Sequence, residues 1–457
     1  MKSLIPALLL ISQLSFSQTI SQKLDDSTRK LLSSEAAYSA NLSFYVAEEN
    51  GTLVYEYNGN KGLSTASTQK IFTAATALET LGKDFQYTTT LSYDGNLSGN
   101  TLNGDLYLTS NGDPTLGSWR FEGYKPENFK QKLLQALKEK GISQITGNLI
   151  IDDSYFDFQT VPGGWPWNDL GNYYGAGVWG VNWRENQFDM EMVNGKLKNN
   201  NVELPNVKWV NEVSTGGSSD QSLIFTAPHS DVAYINGKLP AKSITVSGAM
   251  PNPPLTLGTE IVGWLKTSNI DFKGKVETVS GQKILGAKMA NFPKNNVLME
   301  YKSPTLDKIV YWFMRKSVNL YGETLIKTLA KEKKRAGSFD AGISYLKDFW
   351  KGKGIQSSMI NFADGSGLSP QNYVSARAEV QALIYSKKQP WFPEFFAGFP
   401  TQGNGMKMKS GTMKDTKSFA GYQTSRDGKK YVFAIIINNY QGNNISEALY
   451  QVLNTLK

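Results

Sequence analysis

The sequence predicts an α/β protein in which the two ends of the chain form one domain and a long β-rich insertion splits it. Three observations carry this. Helices and hairpin-joined strands occur at both ends of the chain. From about residue 86 to 290 the texture changes to short β-type runs with Gly/Asn turns. Helical spacing then returns from Thr305 onward.

Taken in order, the chain opens with Lys2 and an apolar stretch from Leu4 to Ile11, followed by Ser15-Phe16-Ser17. A basic start, a short apolar core and a small-x-small site predict a signal peptide over residues 1–17, cut before Gln18. The apolar core is too short to span a bilayer, and no later stretch is long and apolar enough to do so. The expected protein is exported, with the periplasm preferred over full secretion.

Residues 19–36 have helical spacing. Leu42–Ala47 and Leu53–Tyr57 flank Asn50-Gly51, which predicts a hairpin. Ser64–Lys70 leads into an Ala-rich, mostly apolar run ending at Gly82, which predicts a buried helix. Within residues 86–290, strands are expected at Tyr87–Leu91, Leu102–Leu108, Asn148–Ile151, Ser222–Thr226 and Ser243–Val246, with one amphipathic helix at about Pro126–Lys140. Trp165, Trp167, Tyr173, Tyr174, Trp179 and Trp183 also lie there. They suit packing beneath Gly-rich loops more than stacking on sugar rings. Helices are expected at Thr305–Lys331 and Ser338–Gly352. Two strands around the Ser425–Gly428 turn and a last helix at Ser446–Leu456 complete the chain. The domain boundaries read as 18–85 with 291–457 for the split domain and 86–290 for the insertion.

Composition narrows the chemistry. The 457 residues include no Cys and one His, so thiol nucleophiles and thiolate metal sites are excluded. A metal site built on imidazoles would need more than one. His229, in Thr-Ala-Pro-His-Ser, reads as a loop residue. The net charge of +8 suits an anionic cell-wall or membrane partner. Nucleic acid is not expected: the one dense basic run, Lys331 to Arg335, reads as a solvated helix end. Asp113, Asp152 and Asp153 sit where turn and cap roles are expected.

Three short motifs carry the chemistry. Ser67 and Lys70 share one helix face, at a helix N-terminus whose positive potential favours developing negative charge. A serine needs a neighbouring base, and a desolvated lysine loses proton affinity and can serve as one. Ser317-Val318-Asn319 supplies a hydroxyl and an amide within a helical stretch. Lys409-Ser410-Gly411-Thr412 supplies a cation and hydroxyls before two strong strands, and its glycine lets a substrate backbone lie close.

In this order, the set resembles the Ser-x-x-Lys, Ser-x-Asn, Lys-Thr/Ser-Gly motifs of penicillin-binding proteins and serine β-lactamases. More narrowly, the chain is similar to the D-alanyl-D-alanine carboxypeptidase/endopeptidase family, the class C low-molecular-mass penicillin-binding proteins of peptidase family S13. The closer match lies in Ala66–Lys70, Ser110–Leu116, Trp165–Gly175 and Asp364–Ser369, and in the gap of about 250 residues between Ser67 and Ser317. The resemblance implies a β-lactamase/D,D-transpeptidase-like domain, an antiparallel sheet flanked by helices, interrupted by the insertion. It implies Ser67 as nucleophile and Lys70 as base. Ser317 would relay a proton, Asn319 would hold substrate and Lys70, and Lys409 would set the electrostatics. Ser410, Gly411 and Thr412 would bind substrate, and the backbone N–H groups of Ser67 and Thr412 would form the oxyanion hole. Peptidoglycan stem peptides are the implied substrate, β-lactams the implied inhibitors, and no metal or cofactor is required. Val318 replaces a frequent Asp, and Ser410 a frequent Thr. A serine β-lactamase shares all three motifs but lacks the long insertion. A non-catalytic wall-binding scaffold on the same fold would not need intact motifs.

Overall fold

A computed structural model describes residues 18–287 and 296–457. The signal-peptide expectation falls on residues 1–17, outside the described residues. No helix among the described residues is long and apolar enough to cross a membrane.

The two chain ends build a five-stranded antiparallel sheet in the spatial order Leu53–Tyr57, Asn41–Glu48, Lys430–Asn438, Thr416–Thr424, Met408–Met413. Alternation along Lys430–Asn438 explains how helices cover both faces. Val432, Ala434 and Ile436 face the helix Ala376–Lys387, in one buried cluster with Ile71, Phe72 and Ala75 of the Ala-rich helix Lys70–Leu81. Phe433, Ile435 and Ile437 pack with Leu24 and Leu31 of the first helix, Ile20–Leu32, and Leu449 and Val452 of the last, Ile445–Asn454. Every residue from Lys70 to Leu78 is buried, as expected for a helix apolar on all sides. Met408–Met413, the motif-bearing strand, is left at the sheet edge.

The intervening segment has its own core around a second, mixed five-stranded sheet. Its strands Leu106–Ser110, Leu149–Asp152 and Val276–Thr278 are parallel neighbours. Two helices belong to this core: Pro126–Glu139, which was expected, and Pro253–Thr267, which was not. Val297–Lys302 pairs with Thr88–Tyr93. The inserted sheet therefore draws on chain beyond residue 290, where the sequence had placed the boundary, because an edge strand finds its partner through non-local pairing.

The helix expected at Thr305–Lys331 is two helices, Leu306–Arg315 and Asn319–Glu332. Ser317 lies in the turn between them with φ 58°, not within a helix.

Candidate active site

Ser67 sits on the 3-10 turn Ala66–Gln69, which feeds the helix Lys70–Leu81. Ala66 adopts φ 47°, a left-handed conformation costly for a residue with a Cβ. It turns the chain so that Ser67 stays half-buried at the rim while Lys70 is wholly buried beneath it.

The surroundings of Lys70 define its chemistry. Its Nζ lies 2.9 Å from Ser67 Oγ, and it donates to Asn319 Oδ1 at 2.6 Å and to the Ser366 carbonyl at 2.7 Å. A neutral amine has two N–H bonds and one lone pair. The two acceptors match the N–H bonds, which leaves the lone pair for the Ser67 hydroxyl. Burial pulls the Lys70 pKa down to about 7, against the opposing pull of Asp364 and Glu323. The neutral amine is therefore well populated near neutral pH.

Ser317 is held from the other side, where the fully buried Lys409 donates to its Oγ at 3.2 Å and to the Ser410 carbonyl at 2.7 Å. Burial, and then the charges of Lys70 and Lys417, push the Lys409 pKa well below its ordinary value. The structure thus brings Ser67, Lys70 and Asn319 into one hydrogen-bonded group and Ser317 and Lys409 into a second, close enough that the charge of Lys70 acts on Lys409. Thr412 is exposed at the strand edge, and its hydroxyl accepts from Lys417 Nζ at 2.7 Å. Ser410 Oγ is 3.4 Å from Gln402 Nε2.

Gly411 packs against the turn that carries Ser67. A Cβ there would lie 2.3 Å from both the Thr65 carbonyl and Ser418 Oγ, and 2.9 Å from the Ser67 nitrogen. The missing side chain admits the backbone of the turn that carries Ser67. Ser418 completes the junction by donating to the Thr65 carbonyl at 2.5 Å. Gly411→Ala is expected to force the edge strand and this turn apart and to slow acylation of Ser67 by about 10²-fold, the effect of roughly ångström-scale misplacement. Stopped-flow labelling with a fluorescent penicillin measures it.

Several supporting residues were not assigned roles from sequence. The Asp364 carboxylate accepts from Gly367 N (2.7 Å), Ser369 N (2.6 Å), Asn372 Nδ2 (2.9 Å), Gln69 Nε2 (3.3 Å) and Trp165 Nε1 (2.9 Å). It fixes the loop whose Ser366 carbonyl holds Lys70. Buried Glu323 accepts from Gly365 N in the same loop, and burial raises its pKa. Asp364–Ser369 stood out in the sequence only through family resemblance, and Trp165 through that and as one of an aromatic cluster; their neighbours in the fold give the reason.

The insertion also reaches the site. Asn319 Nδ2 donates to the Tyr174 carbonyl at 2.9 Å. Glu185 accepts from Ser118, Arg120 and Tyr321, the last of these two residues beyond Asn319. Glu185 lies in a run of three left-handed residues, Arg184, Glu185 and Asn186, with φ of 52°, 54° and 53°. A cavity of about 160 Å³ between the two parts is lined by Ser317, Asn319, Arg120, Tyr173, Tyr174 and Gln187, among others.

Of the six aromatic residues singled out, Trp165, Trp179 and Trp183 are buried and Tyr174 is half-buried, whereas Trp167 and Tyr173 are exposed. His229 stacks on Phe158 at 4.6 Å and lines a separate cavity that contains none of the three motifs. Asp113 and Asp152 accept from Thr115 N and Ser154 N, and Asp153 from Ser280 N, as turn and cap residues do.

The profile of the D-Ala-D-Ala carboxypeptidase 3 (S13) family matches residues 24–456. The chain belongs to that family. As an S13 member it is a serine-type hydrolase with D-Ala-D-Ala carboxypeptidase chemistry. It is 26% identical over 427 residues to a D-alanyl-D-alanine carboxypeptidase of Actinomadura sp. (strain R39), covering 86% of this chain and 76% of the relative. It is 27% identical over 431 residues to a D-alanyl-D-alanine carboxypeptidase of Haemophilus influenzae, covering 88% and 86%. The solved structure of penicillin binding protein 4 from Haemophilus influenzae superposes with a TM-score of 0.78 at 26% identity, covering 94% of this chain and 97% of that one. The expected fold class is thereby borne out.

Proposed function

We propose that this S13 enzyme hydrolyses peptidoglycan stem peptides ending in D-Ala-D-Ala, as carboxypeptidase and as D,D-endopeptidase, through an acyl-enzyme on Ser67. The observation that carries the assignment is the Lys70 amine, whose two acceptors leave its lone pair facing Ser67 Oγ at 2.9 Å. Lys70 takes the hydroxyl proton as Oγ attacks the carbonyl carbon of the penultimate D-Ala. The backbone N–H groups of Ser67 and Thr412 hold the resulting oxyanion, each worth about 3 kcal/mol. Ser317, polarised by Lys409, relays the proton to the leaving nitrogen. The C–N bond breaks, the terminal D-Ala departs, and an ester to Ser67 remains. Water, deprotonated by Lys70, attacks the ester carbonyl and the proton returns to Oγ. Asn319 orients the substrate amide as well as Lys70, and the hydroxyls of Ser410 and Thr412 receive the terminal carboxylate.

β-Lactams present a strained amide in place of the D-Ala-D-Ala bond and acylate the same oxygen. The solved structure of the Haemophilus influenzae protein in complex with a β-lactam supports this reading. Residues 18–85 with about 303–457 form the catalytic unit, and the segment between walls the cleft. An exported, periplasmic placement follows from the substrate and from the leader-like first 17 residues.

Intact mass before and after a fluorescent penicillin, on wild type and on Ser67→Ala, tests the assignment. One stable adduct on wild type alone is expected. An adduct on both would move the nucleophile elsewhere. No adduct with hydrolysed drug would make the enzyme a β-lactamase.

A further inference from the structure

We propose that Lys417 is a further substrate-binding residue: its ammonium, braced on the Thr412 hydroxyl, receives the free carboxylate of the leaving D-amino acid. This deepens the D,D-peptidase reading and rests on it. Lys417 lies directly across the strand pair from Thr412, so both side chains share one face. Its Nζ donates to Thr412 Oγ1 at 2.7 Å and lies 5.2 Å from the centre of the Phe419 ring. The head group is thereby held at the edge strand beside the proposed oxyanion hole.

Charge balance points the same way. The described structure pairs another buried lysine, Lys327, with Asp157 at 2.7 Å. Among the described residues neither Lys409 nor Lys417 forms an ion pair with a carboxylate: Lys409 donates to Ser317 Oγ and the Ser410 carbonyl, and Lys417 to Thr412 Oγ1. A partly desolvated Lys417 ammonium without a counter-ion beside the scissile position favours an incoming anion. The one anion that every D-Ala-D-Ala substrate carries is its terminal carboxylate, placed just beyond the nitrogen that departs. A bound carboxylate would offset the burial cost of the Lys417 ammonium. The sequence offered no sign of this residue, because Lys417 lies outside the Lys-Ser-Gly motif and reaches it only across the sheet.

The test compares an N-acylated peptide ending in D-Ala-D-Ala with the same peptide as its C-terminal amide, on wild type, Lys417→Gln and Lys417→Arg. Wild type is expected to prefer the acid. Lys417→Gln should lose about ten- to hundredfold in kcat/KM on the acid, the worth of one charge-assisted hydrogen bond, and stay within about twofold on the amide. Lys417→Arg should keep most of the preference. The retained amide activity shows that the variant is folded. If Lys417→Gln slows acid and amide alike, or changes neither, the proposal is overturned. If wild type cleaves neither peptide, the peptidase reading fails on its own. The same criterion then applies to Ser67 acylation by a penicillin and by its methyl ester, and an unchanged acid-to-ester ratio in Lys417→Gln overturns the proposal.

Discussion

Lys70→Met should slow acylation of Ser67 by about 10³-fold and erase the neutral limb of its pH profile. In the wild type the base must be the free amine. The acylation rate therefore rises as pH increases through about 7, where burial places the Lys70 titration, and levels off above it. Methionine fills a similar volume without a basic nitrogen. It leaves Asn319 Oδ1 and the Ser366 carbonyl without their donor but places no new charge in the core. Single-turnover labelling by a fluorescent penicillin between about pH 5 and 9 reads both effects. If a limb near pH 7 survives the substitution, Lys70 is not the base. Lys409, whose proton affinity burial also lowers, would then inherit the role.

Asp364→Ala should be the most damaging change outside the three motifs. The substitution strips the acceptor from the backbone N–H groups of Gly367 and Ser369 and from the side chains of Asn372, Gln69 and Trp165, in a place water does not reach. Leaving a buried donor without its acceptor costs about 1–3 kcal/mol, and several lose theirs together here. Urea unfolding monitored by tryptophan fluorescence should show a lower midpoint with little change in slope. Acylation should fall in whatever protein remains folded, because the Ser366 carbonyl loses its anchor and Lys70 its orientation. A variant with wild-type stability and acylation would show that the loop is fixed by Glu323 and local turns alone.

The parts of the molecule legible in the sequence are those with local causes. Asn50-Gly51 and Asp427-Gly428 set hairpins, the apolar run after Lys70 sets a buried helix, and the i, i+3 spacing sets Ser67 over Lys70. What was hidden depends on contacts between distant segments. A glycine in a motif says that something comes close, yet only the sheet shows that the visitor at Gly411 is the Ser67 turn. Ser317-Val318-Asn319 follows an amphipathic pattern and so reads as helix, but the chain breaks there in a left-handed turn to aim the Ser317 hydroxyl at Lys409. The helix Pro253–Thr267 begins with two prolines, which mask a pattern that its buried Leu257, Ile261 and Leu265 make plain once packed.

The run of left-handed residues at Arg184–Asn186 has a consequence for how the protein comes together. Each such residue costs about 1–2 kcal/mol relative to an ordinary conformation. The turn's anchors within the insertion, Asn186 to Gly177 and Asn182 and Glu185 to Ser118 and Arg120, are joined by one outside it: Glu185 also accepts from Tyr321 on the helix that begins with Asn319. The insertion therefore adopts its native turn most readily when that helix is already docked, and the helix is held in register by the turn. The two parts are coupled in folding. Excising the insertion would do more than open the cleft, because the helix that presents Asn319 to Lys70 would lose a brace that the catalytic unit cannot supply from its own chain.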